Sequence, residues 1–91
     1  MKLTAEHFKK ELQGQLSRAE KQGKHHIDIN SGILHRELGN YPGKYHSMPN
    51  CCQVMRAEMN DRDKITKEPP SGMGASLTIR YKLPRSHAKL N

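Results

Sequence analysis

The chain has no tryptophan, one phenylalanine and three tyrosines among its 91 residues, so aromatics make up only 4% of it. A deep ligand pocket walled by aromatic side chains is therefore not expected. Cysteine is nearly as scarce. Cys51 and Cys52 are the only two and they are neighbours, which excludes a framework of disulfides tying distant parts of the chain together. No run approaches the roughly 18 apolar residues of a membrane span, and the first residues lack the apolar stretch of a signal peptide. These absences point to a cytoplasmic protein with no membrane partner. Carboxylates are also few: nine Asp and Glu stand against sixteen Lys and Arg, a formal charge of +7.

Such an excess is the electrostatic footprint of a partner carrying phosphates, although an ordinary small basic protein shows it too. It is uneven along the chain. Over 62–91 the basic residues are Arg62, Lys64, Lys67, Arg80, Lys82, Arg85 and Lys89, against only Asp63 and Glu68. A chain of this length has room for one domain, with roughly 60% of its unfolded surface buried, and the expected division is a domain over 1–85 and a loose basic tail over 86–91.

Phe8, Leu12, Leu16 and Ala19 recur at helical spacing and predict a first helix over 4–22, with Thr4 as its N-cap and Gly23 closing its far end. In 26–30, Ile27 and Ile29 alternate with polar residues, as a short half-buried strand does. Ser31 is the expected N-cap of a second helix that buries Ile33, Leu34 and Leu38 before Gly39. The turn residues of 40–46 break the chain at Pro42-Gly43, and Ser47 and Pro49 open a third helix reaching about residue 60 and burying Cys52, Met55 and Met59. Two strands follow, over 64–68 and 76–83, joined by a Gly-rich loop expected to be flexible. In the second strand Leu77, Ile79, Tyr81 and Leu83 face one way while Thr78, Arg80 and Lys82 face the other.

The order α-β-α-α-β-β predicts an α+β fold: a winged helix-turn-helix with three helices and a small antiparallel sheet, the third helix entering the major groove and the hairpin forming the wing. On that expectation the outward face of the third helix carries Asn50, Gln53, Arg56 and Asn60. Asn and Gln suit adenine edges and Arg suits guanine; the bland alternative is a solvated helix face. The turn adds Lys44, Tyr45 and His46 as phosphate donors, and the hairpin adds Lys67, Arg80 and Lys82.

Other chemistries find less support. His35, His46, Cys51 and Cys52 are the nearest approach to a metal cluster, but adjacent cysteines on a helix point about 100° apart and lack the usual two-residue gap. No metal or other cofactor is expected, and Cys52 reads as a core residue with Cys51 partly buried beside it. Asp61 and Asp63 flank Arg62 in what looks like a turn, and no activated nucleophile is marked. An enzyme is therefore not expected.

The stretches SGILHRELGNYPGKYHSMPNCCQVM and PPSGMGASLTIRYKLPR resemble a family of short bacterial proteins, some carrying an HNH-endonuclease label. The likeness covers roughly 27–85 and implies no established activity. A ββα-metal nuclease places its metal helix after the hairpin, whereas here the helix precedes it, so the label does not carry over. More generally the chain is similar to winged helix-turn-helix regulators. The expected function is double-stranded DNA binding, as a transcriptional regulator or an accessory factor in bacterial or phage DNA transactions, with a homodimer or protein partner left open. The rivals are an adaptor that uses the same fold to bind an acidic partner and, behind it, a small nuclease.

Overall fold

A computed structural model describes residues 4–38 and 48–85. Its elements run α1 (Ala5–Lys21), β1 (His26–Asn30), α2 (Ser31–Glu37), α3 (Met48–Ala57), β2 (Lys64–Lys67) and β3 (Thr78–Lys82). The strands form one antiparallel sheet in the order β1-β3-β2. The fold is thus α+β with three helices and a three-stranded sheet, as expected from the chain's periodicities.

In α1 the whole predicted stripe, Phe8, Leu12, Leu16 and Ala19, is buried. The backbone N–H of Thr4 donates to His7 Nδ1 at 3.0 Å, so a histidine at the third helical position satisfies the N-cap residue. At the other end Gly23, at φ 80°, lets its own N–H reach Glu20 O (2.9 Å) and that of Lys24 reach Ala19 O (3.1 Å). This pair of bonds is the glycine-based helix stop that turns the chain toward β1.

The second helix departs from expectation in its cap and its buried face. Asn30, not Ser31, is the N-cap, its Oδ1 accepting from Ile33 N at 3.0 Å. Ser31 instead donates through its own N–H to Leu77 O (2.8 Å) and through its hydroxyl to Gly74 O (2.7 Å), while Gly32 N donates to Ala75 O (3.1 Å). These three bonds fix the roll of α2. They bury Ser31, Gly32, Leu34 and His35 and leave Ile33 54% exposed and Leu38 half-buried. His35 packs on Phe8 with ring centroids 4.9 Å apart.

The third helix buries Met48, Cys51, Cys52, Val54 and Met55. It stops at Ala57, short of the predicted residue 60, and Met59 is only half-buried. The cause is local. Asn60 N donates to Asp63 Oδ2 (2.8 Å) and Arg62 N donates to Asn60 Oδ1 (2.9 Å), so side chains of the following turn take over bonding that the helix would otherwise use. Cys51 and Cys52 are both fully buried, which corrects the expectation that Cys51 is partly so.

In β3 and at its two ends, Leu77, Ile79, Tyr81 and Leu83 enter the core in the predicted alternation. The Tyr81 hydroxyl donates to Met55 O at 2.8 Å, which satisfies a buried polar group and ties the inner face of the sheet to α3.

Candidate nucleic-acid interface

Helical geometry assigns the exposed arc of α3. Taking 100° per residue from Pro49, Arg56 lies at about −20°, Gln53 at about 40°, Ala57 at about 80° and Asn50 at about 100°. Pro49, Gln53 and Ala57 are exposed, with Asn50 and Arg56 half-buried at the margins. The arc is opposite the stripe centred on Cys51 and Met55. Asn60, expected on this face, lies beyond the helix and bonds within the turn that follows it. The structure therefore brings Asn50, Gln53 and Arg56 together and leaves Asn60 out.

Arg56 is not free. Its Nη2 donates to Glu68 Oε2 at 2.7 Å and to Gly72 O at 2.6 Å, so the guanidinium joins the edge of α3 to the hairpin loop. The loop expected to be flexible has carbonyls bonded to both neighbouring helices. Gly74 O accepts from the Ser31 hydroxyl and from Cys52 Sγ (3.5 Å), and Ala75 O accepts from Gly32 N. The loop is thereby held against both α2 and α3. The approach is close at Gly32, where a Cβ would stand 3.0 Å from Ala75 O and 3.2 Å from Ala75 Cβ and would push the loop back by a few tenths of an ångström.

The outer face of the sheet carries the other predicted cations. Register pairs His26 with Lys82, Asp28 with Arg80, and Arg80 in turn with Lys64. After an irregularity between Ile65 and Lys67, Lys67 meets Thr78. Arg80 is engaged by Asp28 through two bonds, Nε to Oδ1 at 2.9 Å and Nη2 to Oδ2 at 3.3 Å. The Arg80 guanidinium holds the Asp28 carboxyl below its usual range. Lys64, Lys67 and Lys82 are exposed and, among the described residues, form no ion pair. Lys67 is at the loop end of the sheet and Lys82 at the far end, so the predicted wing cations do not form one cluster. Lys64 was not among the predicted residues, although its place beside the inward-facing Ile65 is a signal that it points outward.

Lys44, Tyr45 and His46 lie outside the described residues. So does the 86–91 tail.

The remaining titratable groups read as structural. Burial, reinforced by the neighbouring Cys52, pushes the Cys51 thiol up to about 12, and burial likewise raises Cys52. No group of three or more His, Cys, Asp or Glu among the described residues is arranged to hold a metal ion. Among the described residues no helix is long and apolar enough to cross a membrane. A cleft of about 320 Å³ lies between α1 and the end of α3, lined by Gln13, Leu16, Ser17, Glu20, Glu58 and Arg85. No known protein family, curated protein or solved structure matches the chain.

Proposed function

We propose that this chain is a winged-helix domain that binds double-stranded DNA without catalysing a reaction or needing a cofactor. Three observations support the reading: the α-β-α-α-β-β order with sheet order β1-β3-β2, the formal charge of +7, and the polar arc of α3. The observation that carries it is the contact of Arg56 with Gly72 at 2.6 Å. It makes the edge of the candidate recognition helix and the loop of the candidate wing neighbours, so that one ligand surface can meet both. In this reading Gln53 and Asn50 face base edges, Lys67 takes a phosphate, and Arg56 shapes the interface by holding the loop. The cellular role that fits is a cytoplasmic regulator or accessory factor in bacterial or phage DNA transactions.

The second reading is an adaptor for an acidic protein partner: Arg56 and Arg80 are each already satisfied by a carboxylate, and a partner with scattered carboxylates needs fewer free cations than the continuous phosphates of a duplex. Fluorescence anisotropy with a random duplex at several salt concentrations separates the two. The DNA reading expects log affinity to fall linearly with log salt, at about 0.9 per phosphate contacted. No measurable duplex binding at 50 mM salt overturns it in favour of the adaptor.

A further inference from the structure

Lys64, Arg80 and Lys82, on the outer face of the sheet, point away from α3. The inner face of β3 reaches α3 through Tyr81, whose hydroxyl bonds Met55 O at 2.8 Å, and Met55 belongs to the buried side of that helix. Lys82 and Arg80 leave the opposite side of the sheet, and Gln53 leaves the opposite side of the helix. The two surfaces thus face opposite ways across the helix and the sheet, and a ligand lying flat on one does not lie on the other.

We propose that the outer face of the sheet is a second phosphate-backbone site, which holds a duplex segment other than the one bound by α3. The inference rests on the reading of α3 as a duplex-binding helix. Lys64 and Lys82 present two ammonium groups with no carboxylate partner among the described residues, and Asp28, the only acid among the described strand residues of this face, is taken up by Arg80. The ligand is a polyanion. No Phe, Tyr or Trp lies among the strand residues of this face, so the stacking platform on which single strands are held is missing. Two exposed lysines, beside an Arg80 and an Asn30 whose side chains are already engaged, suit the regular phosphates of a duplex bound without regard to sequence. Such a domain brings two duplex segments together.

The test uses the full chain, one bead-bound duplex and a second, fluorescent duplex of unrelated sequence, with the affinity for a single duplex measured separately by anisotropy. Wild-type protein is expected to capture the second duplex on the first. The Lys64→Glu/Lys82→Glu double variant, altered only at exposed positions and checked by its melting temperature, should capture at least about tenfold less while its single-duplex affinity changes little. Asp28→Asn, which frees Arg80, should capture more. If the double variant captures the second duplex as well as wild type does, the sheet is not the second site and the proposal fails. If the double variant instead loses single-duplex affinity, with a salt slope lower by about 2, the lysines sit on the duplex held by α3: the inference falls and the function stands. Absence of binding to either duplex removes both.

Discussion

Arg85 Nη1 and Asp63 Oδ1 meet at 2.8 Å with side chains 8% and 0% exposed, closing the end of the described chain onto the turn that follows α3. The same carboxylate accepts from Asn60 N and Lys82 N, and Arg85 donates onward to Glu58 O and through its own N–H to Glu20 Oε2. Burial raises the Asp63 pKa, but bonds from Arg85, Lys82 and Asn60 outweigh it and hold the carboxyl below its usual range. Removing one partner of such a buried pair leaves the other uncompensated, so Asp63→Asn should cost about 3 kcal/mol and lower the melting temperature by more than about 10 °C. Because the folded pKa is depressed, the stabilisation is complete above the unfolded value near 4 and is lost as pH falls through the folded one. Melting curves of wild type should therefore be flat from this source between pH 7 and 5 and decline below about 4, and Asp63→Asn should lack that decline.

Arg56 offers a second test, because its two bonds make it a staple of the hairpin loop rather than a free base reader. Arg56→Ala should cost on the order of 1 to 2 kcal/mol, as befits charged hydrogen bonds at a half-buried site. It should also speed hydrogen exchange at Gly32 N, whose acceptor is Ala75 O in the segment just after the loop. Exchange in the variant as slow as in wild type would return Arg56 to the interface.

With both thiols buried and Cys51 raised to about 12, the thiolate fraction of Cys51 at pH 8 is about one in ten thousand. A chromogenic disulfide reagent should label neither cysteine until the protein is unfolded. Likewise a chelator should leave the melting temperature unchanged, since structural zinc supplies folding energy and its removal would show. Stoichiometric zinc in the purified protein would overturn this.

For the DNA reading, Gln53 and Lys67 should separate. Gln53→Ala should cost about 1 to 3 kcal/mol on a preferred duplex and little on a random one. Lys67→Ala should weaken both alike and reduce the salt slope by about 1. Equal losses on both duplexes for Gln53→Ala would remove the helix from base reading.

Much of the architecture was legible because it depends on short-range pattern. The stripe of α1, the alternation of β1 and β3, and the break at Gly23 are each written within one turn or one strand. What was not legible depends on partners far along the chain. Ile33 and Leu34 compete for one buried position, and the choice is made by Leu77, Ala75 and Gly74, whose carbonyls bond the first residues of α2 and its Ser31 hydroxyl. Arg56 reads as an outward cation until Glu68 and Gly72 come beside it, and Arg80 until Asp28 does. Opposite charges 52 positions apart leave no mark in a local window. The site was therefore legible as a set of faces, while the occupancy of its arginines was not.

That same separation bears on how the chain comes to be folded. Among the described residues β1 has β3 as its only strand partner, and Asp28 waits for Arg80. At roughly 5 to 20 residues per second of synthesis, the first strand stands with both edges open for about 3 to 10 seconds before its neighbour exists. Helices α1 and α2 are complete well before then, so they can collapse on each other but have no sheet to rest against. Closing so distant a pairing carries the slow, high-contact-order step, and the sheet is therefore finished only once β3 has been made.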